Sequence, residues 1–159
     1  MPPSHHLVAA TDFSESSRHA VNRGFQLAQT LGGHYAVVHA LGLDAPGPLR
    51  QLLGEKSQDA RDKIAQHQYA KLQDFTQEGQ RQSGVTPTLR VEEGLATTTI
   101  PAQVAALGAD LVLVGAQGES RWRRVLLGST ASQLLRKSRC PVLVVKNPCQ
   151  GPYRRVLVA

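Results

Sequence analysis

Gly115, Gly118 and Gly128 are the residues whose spacing best suits chemistry in this chain; Ser129 and Thr130 follow at once, and the apolar run Leu111 to Val114 precedes them. A strand that stops at a glycine and feeds a loop with glycine at both edges lets backbone N–H groups approach an anion without interference from Cβ atoms. A helix opening on Ser and Thr adds free N–H groups and the positive end of its dipole. The ligand that suits such a place is phosphate. The spacing, G-x2-G-x9-G-S/T, is neither G-x-x-x-x-G-K-S/T nor G-x-G-x-x-G, and no lysine lies within the loop. The same glycines also suit a plain strand end and a plain helix start, so three glycines alone do not define a site.

The elements that must position this loop follow one another along the chain. His6 to Thr11 is an apolar run ending at Asp12, and Ser14 stands at a helix N-cap position with Glu15 in the first turn. Ala20, Gly24, Leu27, Ala28 and Leu31 recur at helical spacing until Gly32 and Gly33 stop the helix. Tyr35 to Leu41 predicts a second strand, covered on both faces, with His39 as a satisfied core histidine. Gly42 to Gly54, with Pro46, Gly47 and Pro48, predicts a loop with a turn of helix at Leu49 to Leu53. Lys56 to Gln82 predicts a polar surface helix with the sparse stripe Ala60, Ile64, Leu72 and Phe75, closed by Gly84.

Thr88 to Val91 is the third strand, and Gly94 turns the chain into a helix over Thr99 to Leu107 that buries Ile100, Val104 and Leu107. After the fourth strand, Leu111 to Val114, a helix runs from Ser129 to Lys137, buried through Ala131, Leu134 and Leu135. Arg136, Lys137 and Arg139 supply cations at its C-terminus. Pro141 opens the fifth strand, Val142 to Val145. Short apolar strands alternating with helices predict an α/β fold: a doubly wound five-stranded parallel sheet with helices on both faces. In the order 3-2-1-4-5 the strand order reverses between strands one and four, where Asp12 and Gly115 then meet in the crevice at which such sheets bind ligands.

The chain has 159 residues, 41% hydrophobic and 19% charged, a single-domain composition with a sizeable core. It shows no apolar run of membrane-spanning length and no charged-then-apolar leader, so a cytoplasmic location is expected. Cys140 and Cys149 have no zinc or disulfide-framework spacing; Cys140 is expected to be buried and Cys149 incidental. The formal charge of +6 is scattered, and aromatics are 4%, too few for stacking platforms along a single strand, so nucleic acid is not the expected partner. Arg121, Arg123 and Arg124 predict a solvated loop, with Trp122 beside them either an interface anchor or partly covered.

The opening A-T-D-F-S-E-S-S, the V-H-A of strand two, and D-L-V-L-V-G…G-S-T…C-P-V-L-V-V resemble, in order, the universal stress protein (UspA) family, from about His6 to Lys146. The resemblance implies an adenine nucleotide alpha hydrolase-like fold that binds ATP, with Mg or Mn between the phosphates. By position, it implies nucleoside contacts from Ala10, Thr11 and Asp12 and adenine contact from the backbone of Ala40. It implies ribose and phosphate contacts from Val114, Gly115, Gln117, Gly118, Gly128, Ser129 and Thr130; at Gln117 many relatives have histidine or arginine.

What is expected is an ATP-binding, nucleotide-responsive stress or regulatory module, not a dedicated catalyst. Neither a P-loop lysine nor an acidic residue that must face a terminal phosphate is visible, so hydrolysis is expected to be slow at most. The alternative is a protein of the same fold that binds no nucleotide and works through protein contacts alone. Strand five ends the sheet and is apolar on both faces, so a homodimer or pseudo-dimer through it is expected. The domain is expected to span residues 1–147. Residues 148–159 are expected to be a linker followed by Arg154 to Ala159, whose pattern repeats His5 to Ala10 as if a second copy began there.

Overall fold

The computed structural model describes residues 5–42, 56–117, 128–148 and 150–154. Five strands, β1 (His6–Thr11), β2 (His34–Leu41), β3 (Thr88–Glu93), β4 (Leu111–Gly115) and β5 (Val142–Val145), form one sheet in the order β3-β2-β1-β4-β5. All pairings are parallel. Among the described residues four helices lie between them: α1 (Glu15–Leu31), α2 (Lys56–Ser83), α3 (Ala96–Ala106) and α4 (Ser129–Lys137). The expected loop and helical turn between Gly42 and Gly54 lie almost wholly outside the described residues, as do Gly118, Arg121, Trp122, Arg123, Arg124, Cys149 and the segment 155–159.

Strand alternation divides the core into two layers. Leu7, Ala9, Val37 and Leu113 face α1 and α2, with Phe25, Leu72 and Phe75; Val8, Ala10, Val38, Val112 and Val114 face α3 and α4, with Ile100, Val104 and Leu134. α1 begins where Ser14 caps it, its Oγ accepting from Ser17 N at 3.2 Å, and ends at Gly32 in the left-handed region (φ +67°), whose N–H donates to Ala28 O. The Tyr35 ring crosses α1 at Gly24, where a Cβ would lie 2.3 Å from Oη, and that hydroxyl donates to Val21 O at 2.8 Å.

Four expectations about local structure differ from what forms. α3 starts at Ala96, not Thr99, because Thr98 and Thr99 N–H groups already donate to Leu95 O, leaving Pro101 inside the helix. α2 is buried only through its C-terminal half: Leu72 and Phe75 reach the core, whereas Ala60 and Ile64 are exposed. At the ends of α1 and α4, Leu31 and Leu135 face solvent. Cys140 is half-buried, not buried. No described helix is long and apolar enough to cross a membrane.

Candidate functional site

The carboxyl end of β1 is held by a chain of short polar links. Ser17 Oγ donates to Ser14 O at 3.0 Å, so the hydroxyl contact of 2.9 Å between Thr11 and Ser17 takes its proton from Thr11. Thr11 Oγ1 in turn accepts from Phe13 N at 3.0 Å, and Asp12 Oδ1 accepts from both the N–H and the hydroxyl of Ser14. Between Asp12 and Ser14, Phe13 takes φ +64°, the only positive φ outside glycine among the described residues. For a bulky side chain that conformation costs of order 1–3 kcal/mol, so its surroundings must enforce it. They do: the Phe13 ring lies 4.3 Å from the His39 ring centroid and 5.4 Å from that of Phe75.

The register pairs Ala9 with Leu113, so Thr11 and Gly115, each two residues further on, end adjacent strands. Gly115 lies against the first turn of α1: a Cβ there would come within 2.7 Å of Ser16 C and 2.8 Å of Ser16 O and Oγ. Its lack of a side chain is therefore required by helix packing. Ser16 Oγ accepts from Gln117 N at 3.2 Å, and Gly128 N–H donates to Ala116 O at 3.0 Å, bringing the start of α4 back to β4. Gly128 occupies the N-cap of α4 with no side chain bonded across it, in contrast to the self-capped start of α1. Among the described residues no side chain caps the first N–H groups of α4, a helix start suited to an anion, and Arg136 and Lys137 complement the dipole at its other end.

These segments enclose a cavity of about 330 Å³ at the switch point. Ala10, Thr11, Asp12, Ala40, Val114, Gly115, Gln117, Gly128, Ser129 and Thr130, all singled out in the sequence, line it together. Gly118 lies outside the described residues. Ser17, Ala96, Ile100 and Ala131 line it as well and were not foreseen. Ile100 and Ala131 stand on the apolar faces of α3 and α4 that cover the Ala10 side of the sheet; two-sided winding was the signal that could have found them. His39 also acquires a role absent from the sequence reading: its Nδ1 lies 2.8 Å from Thr11 O, linking β2 to the cavity wall. Burial in this position pushes the His39 pKa down from 6.5, and Lys71 adds to that, against the upward pull of the Thr11 hydrogen bond and of Asp12. Among the described residues, no group of three or more His, Cys, Asp or Glu side chains is arranged to hold a metal ion.

Fold and cavity define a doubly wound α/β domain whose candidate ligand site is built from strand ends and one helix N-terminus. Residues 3–146 match the model of the universal stress protein family. The chain is 27% identical over 151 residues to universal stress protein MJ0531 of Methanocaldococcus jannaschii, covering 89% of this chain and 82% of that protein. Its fold is similar to that of universal stress protein UspA from Lactobacillus plantarum (TM-score 0.75, 21% identity, 89% of this chain and 97% of that one). It is also similar to a universal stress protein solved in complex with cAMP (TM-score 0.65, 24% identity, 90% and 97%). The chain belongs to the universal stress protein family.

Proposed function

We propose that the cavity binds an adenine nucleotide, ATP with Mg or Mn, and that the protein is a nucleotide-responsive stress or regulatory module. The observation that carries this reading is that the N-terminus of α4, without a side-chain cap among the described residues, lines one cavity with Asp12 at the point where strand order reverses. The walls divide as a nucleotide requires: Ala40, Ala96, Ile100 and Ala131 are small or apolar and suit a base, while Thr11, Asp12, Ser129 and Thr130 are polar and suit ribose and phosphate. A volume of about 330 Å³ lies within the usual range for small-molecule sites. Gly118 joins the reading by its place in the motif. A divalent cation would be carried on phosphate oxygens, the usual habit of Mg²⁺. A relative of the same fold was solved with cAMP, a nucleotide of the same base.

The reading is of a binding module with slow hydrolysis at most. Fast phosphoryl transfer needs a placed base and a cationic clamp. Among the described lining residues Asp12 is the one carboxylate, with Oδ1 engaged by Ser14, and none is Lys or Arg. Calorimetric titration with Mg-ATP tests the proposal and should show a single saturable site. Absence of heat at millimolar nucleotide, together with no adenylate released from denatured protein, would leave the protein-contact alternative in its place.

We further propose that β5, at the end of the sheet order, pairs with an equivalent strand, and that the segment after 147 links to a second copy of the domain. The 159-residue chain should then sediment as a homodimer, and a chain continuing into a second copy as a monomer with a pseudo-dimeric core. A monomeric 159-residue chain at high concentration, with freely exchanging amides in Val142–Val145, would refute the pairing.

A further inference from the structure

Phe13 and His39 lie on the α1 and α2 side of the sheet, away from the cavity, yet both hold the residues that form its wall. His39 meets the Thr11 carbonyl, which can only accept, so its Nδ1 carries the proton and the neutral ring leaves Nε2 bare. The Phe13 ring rests on His39 and Phe75, with Lys71 Nζ 4.3 Å from its centroid. Thr11 and Asp12, two positions and one position before Phe13, line the cavity.

We propose that Phe13 and His39 together are a positioning device for the Thr11 and Asp12 wall of the nucleotide site, loosened when His39 is protonated. The proposal rests on the nucleotide reading of the cavity. A proton on Nε2 places a second cation beside a ring that already faces Lys71 of α2. Burial opposes that charge most strongly and Lys71 opposes it too, while the Thr11 hydrogen bond and Asp12 favour it. From α1, Arg18 lies over Phe75, 3.9 Å from its centroid. From β3, Val91 stands beside His39, while Arg90 and Glu92 turn to the other face, where Arg90 donates to Gln103 of α3. Lys71 repels the charged ring, which in moving away releases Phe13 to return to ordinary backbone angles and carry Asp12 with it.

The test compares wild type with His39→Asn, an uncharged donor of similar reach, with His39→Leu and with Phe13→Ala. Mg-ATP affinity is measured by calorimetry, and exchange of the Phe13 and Ser14 amides by NMR, both above and below pH 6.5, the ordinary histidine value. Ionisation of the nucleotide itself is common to all four proteins and drops out of the ratios. Wild-type affinity should weaken on the order of tenfold more than that of His39→Asn on acidification, and Phe13→Ala and His39→Leu should be weak at both pH values. In the same variants the two amides should exchange faster. Unchanged amides and parallel pH profiles in all four proteins would overturn the proposal. If wild type binds no nucleotide, amides that still respond to His39 and Phe13 uphold the positioning device and refute only the nucleotide reading; amides that do not respond refute the device as well.

Discussion

Gly115→Ala should lower folding stability and nucleotide affinity together. The added Cβ would stand 2.7 Å from the carbonyl carbon of Ser16 and 2.8 Å from its oxygen, and backbone atoms cannot rotate aside as a side-chain end can. The first turn of α1 must therefore withdraw from β4, at about 1–3 kcal/mol, the usual cost of overpacking a close contact. The same movement breaks the link from Gln117 N to Ser16 Oγ and widens the cavity between the ends of β1 and β4. Urea unfolding and Mg-ATP titration on one preparation measure both effects. Adding Ser16→Gly should restore little, because it removes Oγ and leaves the carbonyl in place. Stability and affinity both at wild-type values would mean that α1 yields freely, and would detach Gly115 from the architecture of the site.

Phe25→Ala should give the largest loss of stability with no loss of affinity in the folded protein. Phe25 is 2% exposed, its ring meets Tyr35 edge to face at 4.9 Å, and α2 approaches it through Gly79, where a Cβ would fall 2.3 Å from the ring. The ring thus fills a notch made for it between two helices and the sheet. Its removal leaves a cavity that a glycine cannot fill, at about 3–5 kcal/mol. The denaturation midpoint should fall with the slope unchanged, and Mg-ATP affinity below the midpoint should stay near wild type, because Phe25 packs on the face of the sheet opposite Ala10 and Val114. A loss below about 1 kcal/mol would show that the two helices close over the gap, at the low end of what buried truncations cost.

The apolar runs, the Ser14 cap, the Gly32 stop and the alternation of strand and helix were legible in the sequence because each is a local pattern with a local cause. Parallel strands with helical crossovers leave few topologies, so the order β3-β2-β1-β4-β5 and the meeting of Asp12 with Gly115 followed from the same pattern. What the sequence could not decide was why those residues are needed. Gly115 reads as a glycine for close approach to an anion, and its immediate demand is room for Ser16. His39 reads as a core histidine, and it holds the Thr11 carbonyl from 28 positions away. Phe13 carries no mark in the sequence of its left-handed backbone, which occurs where His39 and Phe75 pack against its ring. Likewise the sparse stripe of α2 reads as one face from Ala60 to Phe75, yet Ile64 is exposed while Leu72 is buried, because burial is set by how far the helix extends past what it packs on. Spacing along one element determines which face it turns inward; depth, clearance and strain arise between elements distant in sequence, and only the packed tertiary structure decides them.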